Sequence, residues 1–223
     1  MAIDAASVSA VLDAASLKQR AAQRLVLDEA PSARDLLIDA PRGDHVINPG
    51  MTMSAEARTR NRLAAVLIPI IAYDEGPRVL LTQRTEHLPS HAGQVAFPGG
   101  KVEAQDESPL AAALREAHEE VGLPPDRVEA LGYLHPYQTM SGYRIIPVVG
   151  LVAPGITLTP DANEVADVFE VPLSFLMDPA NHQRQSRVWN GQERFYFVMP
   201  YETRYIWGVT AGIIRELYHE LFE

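Results

Sequence analysis

Cysteine is absent from the 223 residues, which excludes disulfides and cysteine-based zinc sites. Positive charge is also scarce: 19 lysines and arginines stand against 29 acids, a formal net charge of −10. So acidic a chain has no electrostatic footprint for a nucleic-acid backbone and no basic patch for an anionic membrane, so neither partner is expected. Met1 to Arg20 lack the continuous apolar run of a signal peptide, and no later stretch reaches membrane-spanning length. A soluble, cytoplasmic protein is expected. Repeats and low-complexity tracts are missing, apart from a mild alanine bias.

At 47% hydrophobic the chain can bury one good-sized core. We place a catalytic domain at 62–223 and an N-terminal extension at 1–61, the latter a weakly amphipathic helix from about Ser7 to Ala30 and an extended segment from Pro31 to Gly50. The extension carries no chemistry and is expected to pack on the core or on a neighbouring subunit. Near Arg62 the run LAAVLIPIIAY reads as a buried strand, Asp74 to Pro77 as a turn and VLLTQR as a second strand of a hairpin. A loop from Arg84 to Gly100 follows. ALGYLHPYQTMSGYRIIPVVGLV reads as strand, loop and strand with Thr139 to Tyr143 at the tip. DANEVADVFEVPLSFL holds an acidic turn and then a Pro-Leu that opens a helix. In the tail, Phe195 and Phe197 read as strand, and Ile206, Ile213, Ile214, Leu217 and Leu221 as the apolar set of a closing helix.

The chemistry concentrates in GGKVEAQDESPLAAALREAHEEVGL, from Gly99 to Leu123. Ser108 is an N-cap, Pro109 suits the first helical position, and Gly122 followed by Pro124 and Pro125 ends the helix after about three and a half turns. Leu110, Leu114, Ala117 and Val121 form an apolar stripe, and Glu116, Glu119 and Glu120 an acidic one about 140° away. Glu119 and Glu120 stand in the last turn, where the helix dipole disfavours negative charge. A hard divalent cation, Mg²⁺ or Mn²⁺, would relieve that repulsion, and carboxylate oxygens suit it.

This segment resembles the Nudix box, the signature of hydrolases that cleave nucleoside diphosphates linked to another group. Arg115, Glu116, Ala117, Glu119, Glu120, Gly122 and Leu123 match without adjustment. The loop is one residue longer than the family pattern, so either Asp106 or Glu107 fills its acidic position. Upstream, Leu80, Leu81, Thr82, Arg84, Gly93, Phe97, Pro98, Gly99 and Gly100 resemble the signature of coenzyme A pyrophosphatases, with Pro89 where that pattern has an arginine. The same likeness continues through Ser141-Gly142-Tyr143, Pro147-Val148-Val149-Gly150 and Trp207, Gly208, Thr210, Ala211 and Gly212, and spans about Leu63 to Leu217.

The resemblance implies an α/β fold: the Nudix α/β/α sandwich with a mixed β-sheet, here with an N-terminal helical extension. It implies Mg²⁺ or Mn²⁺ held by Glu116, Glu119, Glu120 and the backbone of Gly100, with Glu119 or Glu164 as base; Glu170 is a further acid of the same region. Arg115 is expected to brace the loop through Glu103, Asp106 or Glu107. Substrate contacts fall to Arg84, Gly93, Phe97, Lys101, Ser141 and Tyr143. The implied reaction is hydrolysis of coenzyme A or its acyl derivatives to adenosine 3′,5′-bisphosphate and phosphopantetheine. ADP-ribose, NADH or nucleoside triphosphates are the alternative substrates, and a non-catalytic nucleotide sensor is the alternative class. A homodimer is expected, since relatives often pair.

Overall fold

The structure is a computed structural model and describes residues 13–27, 42–51, 53–54, 57, 62–189 and 191–223. Helix α1 (Ala14–Arg24) is capped by Asp13, whose carboxylate accepts the Ser16 N–H at 2.7 Å. The outer parts of the expected Ser7 to Ala30 helix, and residues 31–41, lie outside the described residues. Strand β1 (Arg42–Gly43) and a single helical turn α2 (Asp44–Ile47) replace the end of the extended segment.

The expected hairpin is present as β2 (Arg62–Ile71) and β3 (Arg78–Arg84), followed by β4 (Val95–Ala96) and β5 (Gly99–Lys101). Helix α3 (Pro109–Val121) leads to β6 (Val128–Tyr133), β7 (Tyr137–Gln138), β8 (Tyr143–Val152) and β9 (Val165–Pro172). A turn of helix, α4 (Leu173–Leu176), follows. These nine strands form one mixed sheet ordered β1-β7-β8-β2-β3-β4, with β5 also on β2, β6 on β8 and β9 on β3. Its central pair, β2 and β8, is parallel and runs ten residues in register from Arg62 opposite Tyr143 to Ile71 opposite Val152.

Buried on both faces, β2 sends alternate side chains each way, as a central strand must. Ala65, Leu67 and Ile71 meet α3, while Ile68 and Ile70 meet the opposite layer. That layer holds α1 and the closing helix α5 (Gly208–Phe222), which supplies Ile213, Ile214, Leu217 and Leu221. The α/β/α layering expected from the sequence is therefore the fold. No helix among the described residues is long and apolar enough to cross a membrane.

Two expectations are corrected here. The tail is more than one strand and a helix: β10 (Gln183–Trp189), β11 (Gln192–Tyr201) and β12 (Arg204–Trp207) form a separate antiparallel sheet. Ile206 belongs to β12, since the closing helix begins only at Gly208. Gln183 to Trp189 shows no apolar alternation because that edge strand is exposed almost throughout, so periodicity gave no signal there.

Helix α1 is part of the same core. Leu17 is 1% exposed and Ala21 is buried beside it, and Arg20 and Arg24 donate to the last-turn carbonyls of Leu221 and Glu220, each at 3.1 Å. Truncating Leu17 to alanine should therefore cost about 3 kcal/mol in urea unfolding. A loss below about 1 kcal/mol would mean that α1 does not fold with the domain.

Candidate active site

The acidic helix is built as its sequence dictates. Ser108 accepts the Ala111 N–H at 3.1 Å, and Gly122 takes the left-handed conformation at φ 70°. Beyond Gly122 the chain turns back, and the 159–164 loop caps the helix: the amides of Thr159 and Asp161 donate to the carbonyls of Val121 and Glu120, both at 2.9 Å. This brings Glu164 beside the acids, where its charge reaches Glu116 and Glu120. An Asx turn, in which Asp161 accepts the Asn163 N–H, was the local sequence signal for this bend.

The buried face of α3 differs from the expected stripe. Ala112, Ala113, Ala117 and Val121 are at 0% exposure, whereas Leu110 and Leu114 are only partly covered. Small side chains let the helix axis approach the sheet, and the larger leucines then fit only at the margin. The rotation carries Glu120 onto the covered side. Its side chain is 6% exposed, against 18% for Glu116 and 59% for Glu119, so the three acids form a gradient from core to solvent.

Arg115 is the brace, and the structure decides its loop partner. Its Nε and Nη2 donate to the two oxygens of Asp106 at 3.0 and 2.9 Å, a forked charge-assisted pair. Nη2 also donates to the Lys101 carbonyl at 3.1 Å, and Nη1 to Glu116 at 3.0 Å and Glu119 at 3.3 Å. The Asp106 side chain is 4% exposed and also accepts the Glu103 N–H, while Glu107 is exposed. Asp106 is therefore the loop acid that Arg115 holds, and Glu107 points to solvent. The pairing with Arg115 holds the Asp106 carboxyl below its usual range.

Burial acts in the opposite sense on the helix acids. It raises the Glu116 pKa, against the pull of Arg115, and pushes Glu120 up to about 7. Glu120 has two favourable contacts, the Gly99 N–H at 3.1 Å and Arg84 Nη1 at 3.7 Å, while Glu116 and Glu164 add repulsion. The glycine pair makes these approaches possible. A Cβ on Gly99 would lie 2.4 Å from the Ala65 carbonyl, and one on Gly100 would lie 2.4 Å from the Glu116 carboxylate.

The expected substrate contacts separate into groups. Arg84 lies within the acidic cluster, and its buried Nε has no hydrogen-bond partner among the described residues. Gly93, at φ 65°, lets the Glu86 carboxylate lie against its backbone. Lys101 is exposed at the end of β5. Ser141 is exposed and bonded to Thr139, and Tyr143 accepts from Arg62 at 3.1 Å. Tyr143 pairs with Arg62 and Gly100 with Ala65, three residues or about 10 Å along β2. Phe97 is a correction: at 4% exposure its side chain is packed in the core cluster that includes the α5 residues. Glu170 is likewise taken up elsewhere, by Arg78 and the Tyr73 hydroxyl.

The donor set fits a hard divalent cation: oxygen ligands only, gathered in excess of the nearby positive charge, with one carboxyl driven toward neutrality by burial. Among the described residues no three acidic or histidine side chains stand close enough to grip an ion as they lie, because Arg115 draws Glu116 and Glu119 to itself and Gly99 holds Glu120. The Arg115 contact with exposed Glu119 is worth less than about 1 kcal/mol and would yield to a cation.

Because the folded-state pKa of Glu120 is raised, its contribution to stability is complete below about pH 4 and is lost as pH climbs through 7. In metal-free protein Glu120→Gln should accordingly be the more stable by about 3 kcal/mol at pH 8.5, with the gap closing below pH 5. Thermal unfolding at several pH values checks this, and a difference independent of pH would contradict it.

Comparison with known proteins places this geometry in a family. Residues 61–190 match the NUDIX domain. The uncharacterized Nudix hydrolase NudL of Escherichia coli O7:K1 (strain IAI39 / ExPEC) is 46% identical over 157 residues, spanning 70% of this chain and 81% of the relative; NudL of Escherichia coli strain K12 gives the same figures. Among solved structures, the M. smegmatis Nudix hydrolase RenU aligns with a TM-score of 0.45 at 24% identity, covering 53% of this chain and 74% of that one. A C. elegans Ap4A hydrolase aligns at 0.43 and 17% identity, covering 49% and 80%. The sequence matches are decisive: with the domain pattern across more than half its length and NudL nearly half identical, the chain belongs to the Nudix family and is one of its pyrophosphohydrolases.

Proposed function

We propose that residues 62–223 hydrolyse the diphosphate of coenzyme A or an acyl-coenzyme A, with Mg²⁺ or Mn²⁺, to adenosine 3′,5′-bisphosphate and (acyl-)phosphopantetheine. The observation that carries the hydrolytic part is the raised, nearly buried carboxyl of Glu120 amid Glu116, Glu119 and Glu164, an excess of negative charge that a divalent cation would offset. Glu116, Glu119, Glu120 and the Gly100 carbonyl would hold the cation. When bound, it supplies charge neutralisation at the diphosphate oxygens and a more acidic water. Glu119 or Glu164 would accept the proton of the water that attacks phosphorus as the bridging P–O bond breaks. Both are exposed, with side chains able to turn toward a bound water. Arg115 does no chemistry: it keeps loop and helix in register through Asp106.

The substrate half of the proposal rests on the likeness of Leu80 to Gly100 and of Ser141 to Tyr143 to coenzyme A pyrophosphatases. Arg84, with a buried Nε left to donate, would hold a phosphate, and Lys101 would add charge at the loop mouth. Pro89 favours a second reading. Without the arginine of that signature the site has one phosphate contact fewer, which suits ADP-ribose or NADH better than a substrate with a third phosphate.

Product separation after incubation with Mg²⁺ or Mn²⁺ decides between these readings. Coenzyme A should be cleaved faster than ADP-ribose, NADH or nucleoside triphosphates; intact coenzyme A beside hydrolysed ADP-ribose would transfer the assignment. Glu120→Gln and Glu119→Gln should each lower kcat by about a hundredfold or more with the fold kept, the scale of lost transition-state electrostatics. Near-normal turnover in either variant would remove that residue from the site.

A further inference from the structure

Two segments from outside residues 61–190 meet at one buried carboxylate. Asp44 opens α2, and its side chain is 12% exposed. Its Oδ1 accepts the Tyr137 hydroxyl at 3.0 Å, and its Oδ2 accepts Arg194 Nη2 at 3.0 Å and the Met140 N–H at 3.2 Å. Arg194 comes from β11 and Tyr137 from β7, while Met140 lies in the loop that carries Ser141 and Tyr143. One side chain thus joins the N-terminal segment, the appended three-stranded sheet and the loop at the mouth of β8.

The surroundings are shaped for this contact. At Gly43, φ +147°, a Cβ would lie 2.2 Å from the Gln138 carbonyl, so glycine alone lets β1 approach β7 this closely. Asn48 closes the other side, donating to the Asp44 carbonyl at 2.7 Å and exchanging hydrogen bonds with the Phe195 backbone at 3.1 and 2.8 Å. Gly142, φ +89°, lies against Ala57, whose carbonyl a Cβ would meet at 2.4 Å. Within the loop, Thr139 Oγ1 accepts the Tyr143 N–H at 3.0 Å, and the Gln138 side chain donates to the Tyr143 carbonyl at 3.0 Å. The loop is held from inside by its own polar groups and from outside by Asp44. Losing the carboxylate would leave the Arg194 charge and the Met140 amide without their partner.

We infer that Asp44 is a positioning residue: through the Met140 amide it fixes the Thr139–Tyr143 loop in its substrate-binding shape, so that segments outside the matched family region set the affinity for the nucleotide. The inference rests on the reading above, in which Ser141 and Tyr143 touch substrate. A residue acting this way affects binding and leaves the chemistry at α3 unchanged, and a purely structural role would not produce that split.

The test uses the full chain with Asp44→Ala and Asp44→Asn, the second keeping the side-chain volume should the first fail to fold. Amide hydrogen exchange of the 139–143 peptide without ligand should be about tenfold faster in the variants, with α3 peptides unchanged. KM for coenzyme A with Mg²⁺ should rise about tenfold while kcat stays within about twofold. Unchanged exchange would show that Asp44 does not hold the loop. Faster exchange with unchanged KM, or a fall in kcat alone, would show that the loop does not set affinity. Wild-type protein that leaves coenzyme A intact would overturn the proposed substrate instead; the same KM comparison is then made on the nucleotide it does cleave. If it cleaves none, protection of the 139–143 peptide by coenzyme A is compared between wild type and variants: weaker protection in the variants supports the inference, and equal protection overturns it.

Discussion

A carboxyl group buried at the C-terminal end of a helix is opposed twice, by the loss of water and by the partial negative charge of the unpaired carbonyls. Glu120 stands in that position, and much of the surrounding architecture answers it. Gly99 lends an N–H, Arg84 lends charge, and the 159–164 loop supplies amides to the carbonyls that would otherwise repel it. Arg115, forked onto Asp106, fixes the glycine loop against the helix so that these contacts hold together. Even so, burial dominates and lifts the carboxyl's pKa to about 7, so that it is only partly ionised near neutral pH. So ill-placed a group, with three more acids around it, would be relieved by a ligand that brings positive charge.

Much of this was legible in the sequence because it is written locally. The N-cap at Ser108, the proline at N1 and the left-handed Gly122 are each decided by a few neighbouring residues, and the helix ends where they say. The choice of Asp106 over Glu107 could not be read that way. Both are acids one residue apart, and only the fork geometry of Arg115 and the burial of its partner separate them. Ala117 and Val121 lie on the buried face as expected, but Leu110 and Leu114 sit at its margin: leucines outrank alanines in a hydropathy pattern, whereas the close approach of α3 to the sheet favours the smaller side chains. Phe97 shows the limit of motif likeness, which marks a position without saying which way its side chain points.

Least legible were the parts that depend on distant partners. Arg42 and Gly43 form a strand only because Tyr137 and Gln138 offer an edge far along the chain, and two residues carry no periodicity. Gln183 to Trp189 is a strand by pairing with β11 alone. Asp44 owes its place to Tyr137, Met140 and Arg194, all distant from it in the chain. The Nudix core is thus specified by short-range signals and the family pattern, whereas its link to the terminal segments is a matter of tertiary contact.

The central claim is that the crowded carboxylates of α3 exist to hold a divalent cation over a diphosphate. Crystals grown with Mn²⁺ and examined by anomalous scattering test it most directly. The account predicts an anomalous peak at coordination distance from Glu116 and Glu120, with Glu119 released from Arg115 and Arg115 still forked onto Asp106. A peak elsewhere, or Glu120 still bonded only to Gly99 at saturating Mn²⁺, would contradict it.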